Sequence, residues 1–96
     1  MLHLIFQSPV ETAILGRIDP GDIVVFLENA VLRTLQNSAI SGTLTRQLDR
    51  NRLCVLSDDI AVRGIASDEL VKGIEVIDYA ELVELTVNNP VIQSWT

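Results

Sequence analysis

The sequence predicts an α/β fold in three layers, α/β/α, built on a mainly parallel sheet of four to five strands. Leu2–Phe6, Ile23–Leu27, Leu53–Leu56 and Ile74–Ile77 are short runs of apolar, largely branched residues. The first three lack the in–out alternation of a strand with one wet face, so they read as strands covered on both sides. The segments between the runs are each longer than a dozen residues. That length suits the helical crossovers that parallel strands require, and such crossovers are right-handed.

The first strand, Leu2-His3-Leu4-Ile5-Phe6, is interrupted only by His3. Ser8-Pro9-Val10-Glu11 then reads as a helix start, with Ser8 as N-cap, Pro9 in the first turn and Glu11 closing a capping box. Val10, Ala13, Ile14 and Ile18 supply one apolar stripe. The helix ends before Asp19-Pro20-Gly21-Asp22, a turn in which Pro20 presets φ and Gly21 tolerates positive φ. Ile23–Leu27 is β-branched and wholly apolar, which assigns it a central position in the sheet.

Asn29 is the expected N-cap of a helix whose inner face is Val31, Leu32 and Leu35. Residues 36–43 are small and polar and read as a loop, with one or two helical turns following over Leu44–Asp49. The strand Leu53–Leu56 runs into Ser57-Asp58-Asp59 and a short helix over 59–63 that Gly64 stops. Ser67–Lys72 forms another helical turn, stopped by Gly73. Ile74-Glu75-Val76-Ile77 carries a polar break, which favours an edge strand.

Asp78 caps the last helix with Glu81 three residues on, and Tyr79, Leu82, Val83 and Val87 are assigned to its buried side. Asn88-Asn89-Pro90 ends that helix. The tail Val91–Thr96, which includes Trp95, is apolar enough to predict packing on this subunit or on a neighbour.

Ninety-six residues, 48% of them apolar, suit one domain spanning 1–96, with an apolar surplus that hints at a subunit interface. The net charge of −6 opposes a direct role on nucleic acid, because phosphate binding rests on clustered lysine and arginine. A single cysteine leaves no internal disulfide and no cysteine-based zinc site, and fits a reducing compartment; the expected location is the cytoplasm. No run approaches the ~20 apolar residues of a membrane span, and Leu2–Phe6 is too short for a secretory leader.

The five glycines are scattered, so no phosphate loop is present and no nucleotide cofactor is expected. His3 and Cys54 alone cannot make a transition-metal site. Asp58-Asp59 after a strand could belong to a magnesium cluster, but Gln7-Ser8 stands where the first strand would have to add acidic groups. The simpler assignment has one aspartate capping the helix and the other in solvent. Cys54 is the one candidate sulfur acceptor, a role that needs exposure and a lowered pKa. Set between Leu53 and Val55, it is better assigned to the core. His3 could orient a group across a subunit boundary or serve as acid or base, yet with no triad partner in sequence a hydrogen-bonded buried histidine fits better. Arg63 beside Gly64 could interact with the last helix carbonyls or meet an anion or acidic partner.

A family likeness joins these landmarks. Met1-Leu2-His3, Ser8-Pro9, Gly21-Asp22, Asn29-Ala30-Val31, Asp59-Ile60 with Arg63-Gly64, Ile77-Asp78-Tyr79, Val83-x-Leu85-Thr86 and Gln93-Ser94-Trp95 occur in order along the chain. Together they resemble the TusB/DsrH family. The resemblance implies a DsrE-like fold and a place in a sulfur-relay complex with homologous TusC/TusD-like (DsrF/DsrE-like) subunits, a heterohexamer built as a dimer of heterotrimers. It implies that the principal acceptor cysteine sits on the TusD/DsrE-type subunit. One branch serves 2-thiolation of the tRNA wobble uridine; the other serves dissimilatory sulfur oxidation.

The sulfur-oxidising branch carries a cysteine in its first helical region, and Pro9–Ile18 has none. The expectation is therefore a subunit without catalytic activity alone, a component of a sulfurtransferase complex, with His3, Arg63 and Trp95 as candidate partner contacts. The isolated chain is expected to form homo-oligomers. Three alternatives stand beside this tRNA-thiolation reading: a persulfide carrier using Cys54, a DsrH-like role in dissimilatory sulfur oxidation, and a self-associating module binding a small anion near Ser8, Asn29 and Asp58.

Overall fold

The computed structural model describes residues 1–6 and 12–95. The expected helix start at Ser8, Pro9 and Glu11, and the stripe residue Val10, lie outside the described residues. Five strands form one parallel sheet: β1 (Leu2–Ile5), β2 (Ile23–Phe26), β3 (Arg52–Leu56), β4 (Glu75–Ile77) and β5 (Ile92–Trp95), in the order β4-β3-β2-β1-β5. β2 is central and β4 is an edge strand, as the apolar run and the polar break predicted. The tail supplies the fifth strand, with Leu2 opposite Ile92 and Ile5 opposite Trp95. The α-helices are α1 (Thr12–Leu15), α2 (Ser41–Gln47), α3 (Ser57–Val62) and α4 (Tyr79–Asn88); 3₁₀ turns cover Glu28–Thr34 and Ser67–Glu69.

Strand order and crossover hand together distribute the helices. From β1 to β4 each new strand is added on the same side of the last, so right-handed connections place those crossovers on one face. The connection from β4 to β5 runs back across the sheet, which carries α4 to the other face. The core divides accordingly. Val24, Phe26, Leu53 and Val55 pack with Leu15, Ile18, Val31, Leu44 and Ile60 on the crowded face. Leu2, Val25, Cys54 and Ile77 pack with Leu85 on the face that α4 covers.

Local chemistry explains several ends. Asp78 Oδ1 accepts the Glu81 amide at 2.8 Å, and the Glu81 carboxylate accepts the Asp78 amide at 3.3 Å, the capping box expected at α4. Gly64, at φ 67°, follows α3, and the Gly64 and Ile65 amides return to Ala61 and Ile60 carbonyls at 3.1 and 2.9 Å. That is a Schellman stop, which a side chain would strain.

Other expectations are corrected. Tyr79, Val83 and Val87 are not on the buried side of α4: they are 65%, 44% and 76% exposed, whereas Leu85 is buried and Leu82 half-buried. α4 has apolar residues on two faces, and sequence spacing alone selected the wrong one. Residues 36–43 are not wholly loop, since α2 begins at Ser41. Asn29 caps no α-helix; it lies within the 3₁₀ turn, whose buried residues are Ala30, Val31 and Thr34, and Leu32 is exposed. Neither Asp58 nor Asp59 caps α3, because the helix starts directly from the strand with Leu56 in the cap position. Both acids fall in its first turn, where the helix dipole favours them.

Candidate functional site

The parallel strands place their carboxyl ends on one rim of the sheet, where binding groups gather in open α/β folds. β2 ends there and the chain turns sharply. Glu28 takes φ 51°, the one described non-glycine residue with positive φ, a conformation that costs an ordinary side chain about 1–2 kcal/mol. Its amide donates to Asp59 Oδ2 at 2.7 Å, across 31 residues of sequence. Arg63 closes the same corner: Nη2 donates to Asn29 Oδ1 at 2.9 Å and Nη1 to the Asp59 carbonyl at 3.0 Å, with the Asp59 carboxylate 3.9 Å away. Arg63 therefore takes up a carbonyl of α3, one of the two roles the sequence allowed, and ties α3 to the turn after β2.

Cys54 lies in the middle of β3 at 0% exposure, between the sheet and α4. Burial pushes its thiol up to about 11; Arg52 opposes that shift, and Glu75 and Glu81 add to it. A thiol so placed is protonated at neutral pH and walled off from attacking sulfur, the reverse of a reactive cysteine.

His3 and Trp95 are brought together. The Trp95 indole Nε1–H donates to His3 Nδ1 at 3.2 Å, and the rings stack with centroids 6.3 Å apart and planes 19° from parallel. An indole N–H only donates, so His3 Nδ1 must accept and its proton must sit on Nε2. Nε2 in turn donates to Asp22 Oδ2 at 2.9 Å. Asp22 also receives the Met1 ammonium on Oδ1 at 3.0 Å and the Asp19 amide at 3.2 Å. Burial of Asp22 works against its ionisation, but the hydrogen bonds from His3, the ammonium and Asp19 outweigh it and hold the carboxyl below its ordinary value. Asn51 extends the cluster, donating to the Asp19 and Asp22 carbonyls and accepting from Gln47. Arg17 lies 6.0 Å from the Trp95 ring centre, a cation–π contact.

Both nitrogens of His3 are thus engaged and the side chain is buried, which leaves it no position from which to exchange a proton with a substrate. The cluster locks β5 to β1 and β1 to the turn before β2. Sequence reasoning singled out His3 and Trp95 separately but missed Asp22 as their partner. The signal available was a histidine inside an apolar strand, which demands a buried acceptor or donor. Cys54 and Arg63 belong to neither ring of this cluster: Cys54 lies on the other face of the sheet and Arg63 at the strand ends.

These features define a small parallel α/β protein of the DsrE-like fold class, its lone thiol sealed in the core. The solved structures agree on the fold. A protein of unknown function, MTH1491 from Methanobacterium thermoautotrophicum, superimposes with TM-score 0.79 at 16% identity, over 98% of this chain and 97% of that one. The ychN protein of Escherichia coli gives 0.75 at 15%, with the same coverage. The family model for DsrH-like proteins matches residues 7–91, and the chain belongs to that family. Among its relatives are the TusB proteins of Pectobacterium parmentieri, 32% identical over 98 residues, and of Escherichia coli, 30% identical over 101. Both alignments span 99% of this chain and the whole of the relative. Among the described residues, no helix is long and apolar enough to cross a membrane.

Proposed function

We propose that this chain is a TusB-type subunit of a sulfur-relay complex and supports 2-thiolation of the tRNA wobble uridine without itself carrying sulfur. The observation that carries the relay reading is the family match over nearly the full length. The sealed Cys54 supports the second half: persulfide relay is thiol exchange, and the exchanging sulfur must be ionised and reachable. The lack of a cysteine in Pro9–Ile18 favours the tRNA branch of the family over sulfur oxidation. On this reading the chain's work is architectural, completing a complex of homologous subunits in the cytoplasm whose reactive cysteine lies on another chain.

Deletion in the native host, followed by mass spectrometry of wobble uridines, tests it. The 2-thio modification should fall and should return with either wild-type protein or Cys54→Ala. Normal thiolation in the deletion strain would refute the relay reading. Rescue by wild type but not by Cys54→Ala would make Cys54 a carrier.

A further inference from the structure

We propose that the groove between α4 and the carboxyl ends of β1–β3 docks a protein partner through a segment of apolar side chains flanked by lysine or arginine. The inference rests on the relay reading only for the identity of that partner.

Among the described residues, the face that α4 covers is short of cover. Five strands spaced by about 4.8 Å span about 19 Å between the outer axes, and a helix about 10 Å across shields half of that width. Beside α4 lies a cavity of about 290 Å³, floored by Leu4, Phe6, Leu27 and Leu56 from the strand ends, with Tyr79 and Leu82 of the helix on its flank. Tyr79 continues into Val83 and Val87, the exposed apolar stripe that runs about 12 Å along α4. An apolar groove joined to an apolar helix stripe exceeds what a small ligand would cover.

Charge then selects the occupant. Glu28 and Asp59 stand in the groove lining, which holds no lysine or arginine among the described residues. The cation at this corner, Arg63, is spent on Asn29 and the Asp59 carbonyl, with its guanidinium 3.9 Å from the Asp59 carboxylate. An apolar floor with two acids and no base on its described rim complements a basic amphipathic segment. The same rim repels a second copy of this face and an anionic bilayer. The strained Glu28 fits a binding edge, since the turn holds a carboxylate at the mouth where glycine would be the relaxed choice.

Two fluorescent amphipathic peptides of about 14 residues, one built of leucine and lysine and one of leucine and glutamate, test this by anisotropy with the full chain. The basic peptide should bind and the acidic one should not. Thr86→Lys, in the groove lining, and Val83→Lys, on the exposed stripe, should each weaken binding by about 10-fold with the melting temperature held. Raising salt from about 0.05 to about 0.5 M should weaken it several-fold. Equal affinity for the two peptides, or unchanged affinity in both variants, overturns the proposal. So does self-association of the wild-type chain that Val83→Lys abolishes. Co-expression with the two homologous small subunits of the host separates the readings. If both variants assemble normally, the groove inference fails and the relay reading stands; if wild type binds the basic peptide yet assembles with neither subunit, the reverse holds.

Discussion

Alkylation of Cys54 in the native protein offers the most direct quantitative check on the reading that this subunit does not carry sulfur. Burial raises the thiol from 9.0 to about 11, which by itself leaves about a hundredfold less thiolate at neutral pH. The side chain has no exposed surface, so iodoacetamide must wait for an opening of the fold. A domain of ordinary low stability, about 5 kcal/mol, is open about one part in 5,000. Once the fold opens the thiol regains its ordinary pKa, so the two factors do not multiply; opening alone sets the rate. Labelling followed by intact mass should therefore run about 5,000-fold slower in buffer than in concentrated urea. Its logarithm should rise with urea along the slope of global unfolding. Protection of only about a hundredfold, independent of urea, would mean that reagent reaches the thiol in the native fold, and it would refute the argument from burial.

Three further outcomes test the site geometry. Because the folded pKa of Asp22 is depressed, the stability it contributes is present above its unfolded value, near 3.8, and is lost as pH falls through the folded value. Asp22→Asn, which removes the charge facing His3 and the Met1 ammonium, should cost about 2 kcal/mol at neutral pH, lower the melting temperature by about 10 °C, and flatten the fall in stability below pH ~4. A variant that melts like wild type at pH 7 would contradict the network. Trp95→Phe keeps the ring but deletes the donor to His3, and denaturant titration should show a loss of about 1 kcal/mol; no loss would detach the indole from the latch. Glu28→Gly should raise the melting temperature, by relief of about 1 kcal/mol of backbone strain, while weakening capture of the basic peptide; a drop in stability would argue that the turn is not strained.

Much of the architecture was readable from short-range patterns. Apolar runs named the first three strands, the polar break put β4 at the edge, and the Asp78–Glu81 box and Gly64 stop lay at the expected ends of α4 and α3. Each depends on residues within a few positions of one another, where backbone geometry leaves little freedom. The candidate site was less readable. His3 and Asp22 are 19 residues apart, His3 and Trp95 are 92, and Glu28 and Asp59 are 31. No periodicity reports such meetings, because register between strands is settled by the whole sheet.

α4 draws the line between the two. The sequence by itself determined that residues 79–88 form an amphipathic helix capped by Asp78, and that the chain is acidic, with its one thiol in an apolar strand. Only the tertiary structure decided which side of α4 meets the sheet. The return connection from β4 to β5 must be right-handed, so α4 is the one described helix on its face, with Leu85 buried beneath it and Tyr79, Val83 and Val87 turned outward. The same constraint buried Cys54 under α4, beside the groove that Leu4, Leu27 and Leu56 line.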